Sequence, residues 1–199
     1  MIRRWRLPLR WWAATLSPLA FLGIALPISA AVGKLPAERD FGLYSGLPAI
    51  GIVPVAAVAI LMAVGEETGW RGFALPALQR RHSALAAALL ITPVWALWHL
   101  PYFFTVATYR GFAPPGYVGF VFGLGCGSIV LTWLYNRTGG SILACAVWHG
   151  LYNLASGTAA ASGTIAAVTS TFVIVQALVL VGLELRAGRR GEASVIGPR

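Results

Sequence analysis

The chain has 199 residues, 58% of them hydrophobic and only 11% charged, and carries a formal net charge of +9. Soluble domains hold roughly 25% charged residues, so this composition excludes an ordinary soluble protein, and the length suits one bundle rather than two domains. The positive charge does not imply a nucleic-acid partner: the arginines sit at the ends of apolar runs, as they do where spans are anchored on the cytoplasmic side of a membrane.

A helix needs about 20 apolar residues to cross a hydrocarbon core about 30 Å thick. The first uncharged run covers residues 11–33. Arg3, Arg4, Arg6 and Arg10 precede it, and Trp5, Trp11 and Trp12 sit at its boundary as aromatic anchors. A signal-peptide core is about 7–15 residues, so the run is read as an uncleaved span. The second run, 41–65, ends at Glu66 and Glu67. The third covers 83–109 after Arg80 and Arg81, and the fourth 111–136. From 138 to 183 no formal charge occurs. That stretch would measure about 69 Å as one helix, too long for a single crossing. It is expected to turn back within the small, polar stretch 156–163, giving a fifth and a sixth span.

The expected fold is therefore all-α, a polytopic transmembrane bundle of about six spans. With the N-terminus inside, 12 of the 15 basic residues fall on the cytoplasmic side, leaving Lys34, Arg39 and Arg110 outside. That asymmetry favours an N-in/C-in arrangement. Residues 1–185 read as a single transmembrane domain and 186–199 as a short, basic, loose cytoplasmic tail. Cys126 and Cys145 lie in apolar runs without a CxxC partner, so both read as buried thiols.

Ionisable groups at bilayer depth cost at least about 2.5 kcal/mol each, which makes them functional candidates by default. Glu67 and Arg71 stand four apart, the spacing of partners on one helix face. Glu66 points elsewhere and has no local cation. A desolvated, unpaired carboxylate holds a proton more readily, which suits a general base or acid. His99 lies in the third run, four residues after Trp95. His149 and Asn153 share a face of the fifth. His82, beside two arginines, reads as an interface residue. Taken singly, each of these fits a hydrogen-bonded core position. Together they hold nearly all the strongly polar groups of the apolar segments, Gln176 being the main exception.

The pieces EExxxR at Glu66, Glu67 and Arg71, an aromatic-xxx-His at Trp95 and His99, and HxxxN at His149 and Asn153 resemble the CPBP family of intramembrane proteases. This is the CAAX prenyl protease and bacteriocin-processing, or Abi, group. Its pattern has Phe where Trp95 stands, and the resemblance covers residues 65–153. It implies that Glu66 activates a water with help from His99. It also implies that His149 and Asn153 stabilise the oxyanion, and that Glu67 and Arg71 shape the site or hold substrate. Family members are commonly called metalloproteases, and Glu66, His99 and His149 would be the zinc ligands if zinc is bound; no local spacing enforces a metal, and a metal-independent route is favoured. The implied partners are a peptide or protein substrate and the lipid bilayer. The short chain with its Arg-rich ends points to a bacterial plasma membrane, with the site towards the cytoplasm. Two other classes share these residues: a proton-relay transporter, and a non-catalytic immunity or binding protein of the same fold.

One difficulty is depth. If the second helix stops near Glu66, then Glu66, His99 and His149 differ by more than about 10 Å along the membrane normal at 1.5 Å per residue. Convergence then needs tilt, a longer second helix, or kinks at Pro93 and Pro101.

Overall fold

In a hydrocarbon environment a spanning segment must satisfy its backbone polar groups internally, and this dictates helix for every long apolar run. The computed structural model describes residues 6–44, 51–105, 107–161 and 163–198. Arg3, Arg4, Trp5 and Arg199, and residues 45–50 of the expected second span, lie outside them.

Helices α1 (Leu9–Thr15) and α2 (Ser17–Ala31) form a pair bent by 50°. Pro18 opens α2 at a position where its missing N–H costs nothing. A 3-10 turn, Glu38–Gly42, follows. Helix α3 runs Ile52–Gln79, α4 Ala84–Trp98, α5 Pro114–Arg137, α6 Ile142–Ser156 and α7 Thr164–Arg189. Short helical turns at Tyr102–Thr105 and Ala107–Arg110 join α4 to α5.

Four helical segments are long and apolar enough to cross a membrane: α3, Ala84–Thr105, α5 and α7; the bent α1–α2 pair makes a fifth if it is one span. The expected fifth crossing corresponds to α6. Its 15 residues reach only about 22 Å at 1.5 Å per residue, less than the hydrocarbon thickness. The expected reversal within 156–163 is where the chain leaves α6 and enters α7.

Helix α6 occupies the centre and α3 packs on it most extensively; α5 packs on α4 and α7, and α2 on α7. The α3–α6 approach depends on Gly150. A Cβ there would lie 2.6 Å from the Ile60 Cα, so only glycine lets the backbones meet this closely, as at small-residue interfaces between membrane helices. Trp148 is buried, stacks on Tyr152 and donates from Nε1 to Ser17 Oγ at 3.1 Å, tying α6 to α2. Cys126 and Cys145 are buried free thiols.

Three expectations need correction. The second helix does not end near Glu66. It continues for 13 residues to Gln79, so Glu66 lies at its middle. The third helix ends at Trp98, with His99 as its C-cap; Pro101 lacks the N–H needed to continue it. The C-terminal segment is not loose. Gly191, with φ +66°, reverses the chain after α7, and Glu192 N–H donates to Ala187 O at 2.9 Å. The segment then docks across the ends of α5 and α7. The Glu184 carboxylate accepts from Ser194 Oγ, Val195 N and Ile196 N at 2.7, 2.6 and 2.9 Å. Arg137 donates to the Ser194 and Val195 carbonyls, Asn136 Nδ2 donates to Ile196 O, and the Ile196 side chain is fully buried.

Candidate active site

The site begins with a local irregularity in α3. Pro76 cannot donate to the carbonyl one turn before it, and residues Trp70–Ala74 relax into a π turn in which Leu75 N–H reaches back to Trp70 O. Single π turns inside α-helices frequently mark functional positions. Here the turn lets α3 continue past Gly69 and Gly72, carrying Glu66, Glu67 and Arg71 into the bundle.

Glu67 and Arg71 are both fully buried. Arg71 Nη1 donates to Glu67 Oε1 at 3.0 Å, the pairing expected from their spacing. From α6, His149 Nδ1 lies 2.9 Å from the same oxygen. A carboxylate only accepts, so this contact assigns the hydrogen to Nδ1 and leaves Nε2 directed elsewhere. Taking such an ion pair out of water is costly, and removing one partner strands the other. Glu67 Oε2 and Arg71 Nε and Nη2 have no protein partner among the described residues.

Glu66 is half-buried and faces α4. Its Oε2 accepts from the Trp95 indole N–H at 2.9 Å. The expectation of an unpartnered Glu66 is thus corrected: it has no cation of its own but does have a neutral donor. His99 Nδ1 lies 2.8 Å from Trp95 O. A carbonyl also only accepts, so here too Nδ1 carries the hydrogen and Nε2 is left as the acceptor of the neutral ring. The Trp95 ring lies between the imidazoles, 5.9 Å from His99 and 5.4 Å from His149 by centroid. The Arg71 guanidinium lies over its face at 4.7 Å. Trp95 is thus the common neighbour of Glu66 and both imidazoles. The extended α3 therefore removes the apparent difference in depth.

Asn153 stands half-buried one turn beyond His149, but joins none of the hydrogen bonds that link the others among the described residues. His82 is exposed beside Arg80 and Arg81. Beyond His99 the site is closed by aromatic rings: Tyr102 and Phe120 stand edge-on to the imidazole at 5.6 and 5.3 Å, and Phe103, Tyr109 and Phe112 continue the contact. Burial first, then Tyr102 and Glu66, push the Tyr109 hydroxyl up to about 12, so it stays a neutral donor at physiological pH.

Two contributors escaped the sequence reading. Trp95 was visible only as an aromatic residue four before His99; that its N–H binds Glu66 depends on how α3 and α4 pack. Gly150 lay inside the HxxxN piece, and its role became visible only from the 2.6 Å approach to Ile60.

A zinc ion would need Glu66, His99 and His149 together. Among the described residues no three His, Cys, Asp or Glu side chains form a metal-binding group. Glu66 is turned to Trp95 and His149 to Glu67, so the three do not fit one ion as they stand.

The family model for type II CAAX prenyl endopeptidase Rce1-like proteins matches residues 47–155, more than half of the chain. The chain is also similar to CAAX prenyl protease 2 of Methanococcus maripaludis, 31% identical over 135 residues; the alignment covers 66% of this chain and 48% of the relative. The matched part thus spans about half the length of that relative.

Proposed function

The chain belongs to the Rce1-like type II CAAX prenyl endopeptidase family, and from that premise we propose that it is an intramembrane endopeptidase that hydrolyses a peptide bond in a protein substrate. Glu66 is the general base. Water held between the Glu66 carboxylate and His99 Nε2 gives its proton to Glu66 and attacks the scissile carbonyl carbon. The resulting oxyanion takes hydrogen bonds from Asn153 Nδ2 and from His149. His149 Nδ1–H is committed to Glu67, so Nε2 is the nitrogen that faces the oxyanion and donates when it too carries a hydrogen. Collapse of the intermediate breaks the C–N bond, and Glu66 passes its proton to the leaving amine. Positioned proton transfer contributes roughly 100- to 10,000-fold, and a single oxyanion donor about 2.7–4 kcal/mol. Arg71, fully buried between Glu67 and the Trp95 ring, shapes the site.

One observation carries this reading: from three helices, Glu66 meets Trp95 beside His99 while Glu67 binds both Arg71 and His149. Residues 1–185 act as one protease domain, and no step requires a metal ion. The membrane is the plasma membrane of a bacterium, with the Arg80 end of α3 cytoplasmic. Glu66 then lies about 20 Å from the Arg80 end of its helix at 1.5 Å per residue. The aromatic cluster closes the far side, so substrate enters from the cytoplasmic side.

The test is a cleavage assay on the purified full chain against a peptide library with and without farnesylated cysteine, with and without chelator. Cleavage that survives chelator and disappears in Glu66→Gln is expected. Wild-type turnover in Glu66→Gln removes the base, and loss of turnover in chelator removes the metal-free route.

A further inference from the structure

Trp95 is buried to 3% exposure at the centre of the site. It reaches Glu66 through the indole N–H and Arg71 through the ring face, and its ring packs edge-on against His149 and tilted against His99. Trp70, from the π turn of α3, packs against it at 6.4 Å. The ring therefore cannot rotate without disturbing several partners, and its N–H has a fixed direction. Direct packing between α3 and α4 is sparse compared with the packing of α3 on α6. The Trp95–Glu66 hydrogen bond is thus the polar link that holds the Glu66 side chain towards the helix that carries His99.

The family pattern described above has phenylalanine at this position. A phenyl ring can lie under Arg71 equally well, but it has no donor for Glu66. A hydrogen bond to a carboxylate is shorter and stronger than one between neutral groups. A reactive group needs its orientation held to within about 0.5 Å by its supporting shell.

We propose that Trp95 is a positioning residue of this chain: its indole N–H aims the Glu66 carboxylate at the water shared with His99, while the same ring seats Arg71. This rests on Glu66 being the base, and the experiment separates the two ideas. The full-length protein is assayed on an internally quenched peptide that the wild type cleaves, as four variants. They are Trp95→Phe; position 95 replaced by 3-benzothienylalanine, which keeps the bicyclic shape and lacks the N–H; Glu66→Gln; and Trp98→Phe, a change at a neighbouring, exposed tryptophan.

The expected result is a fall in kcat of about tenfold, or about 1.36 kcal/mol, in both N–H-deleted proteins. KM and melting temperature stay at wild-type values in the benzothienyl protein, Trp98→Phe behaves as wild type, and Glu66→Gln is inactive. A purely structural tryptophan would leave the benzothienyl protein fully active, because its packing is intact. Wild-type kcat in that protein, with Glu66→Gln inactive, overturns the role of Trp95 and leaves the base in place. Activity in Glu66→Gln overturns both.

Discussion

Two places in this molecule bring a glutamate, an arginine and an asparagine together beside apolar helices, and they are finished differently. At the ends of α5 and α7, the half-buried Glu184 accepts three donors from the returning C-terminal segment, and Arg137 and Asn136 bind its carbonyls. These bonds use mainly backbone groups, which neither titrate nor swing. At the centre, Glu66 has one indole donor and partial exposure, while Glu67 shares a single oxygen between Arg71 and His149. The first arrangement can only hold a shape. The second keeps acceptors and an imidazole nitrogen uncommitted, and that incompleteness is what reaction chemistry requires.

The largest test of the contrast is Glu66→Gln. Peptide cleavage is expected to fall by about 100- to 10,000-fold with the melting curve unchanged; a fall in melting temperature with activity retained would make Glu66 a structural group like Glu184. Next comes Arg71→Ala, which takes from buried Glu67 its one charged partner and leaves only His149. A loss of about 3–5 kcal/mol is expected, read as a large drop in thermal midpoint in detergent; a stable protein would show that Glu67 is partnered without it. Asn153→Ala should lower kcat about 100-fold, the worth of one oxyanion donor, without moving the midpoint. An unchanged kcat would assign the oxyanion to other donors. Glu184→Ala has the smallest expected effect on activity. It should cost about 1 kcal/mol per lost hydrogen bond and expose the C-terminal segment to limited proteolysis, with cleavage activity within twofold of wild type. A loss of activity there would couple the two regions and erase the distinction.

Much of this site could be read directly along the chain. The Glu67–Arg71 pair follows from their spacing on one helix, and His149 and Asn153 follow from a shared face. Less was readable where it depended on packing. Helix α3 was expected to stop near Glu66 because the charges and Gly69 look like a helix end. Pro76 and the π turn instead carry it 13 residues past Glu66, because the buried partners on α6 and α4 reward keeping those charges inside. The tail was expected to be loose because its composition is polar. Ile196 and the backbone bonds to Glu184 and Arg137 hold it down, and nothing in the local sequence pairs those positions.

Composition and the long uncharged runs alone determined that this is an all-helical membrane protein, because an unbroken apolar run of about 20 residues satisfies its backbone hydrogen bonds within itself only as a helix. Residue spacing alone determined which polar groups share a helix face. Only the tertiary structure decided which groups meet between helices. It set Gly150 against Ile60, Trp95 on Glu66 and His149 on Glu67, because contacts between helices depend on their lengths, breaks and closeness of approach, which periodicity along one helix does not encode.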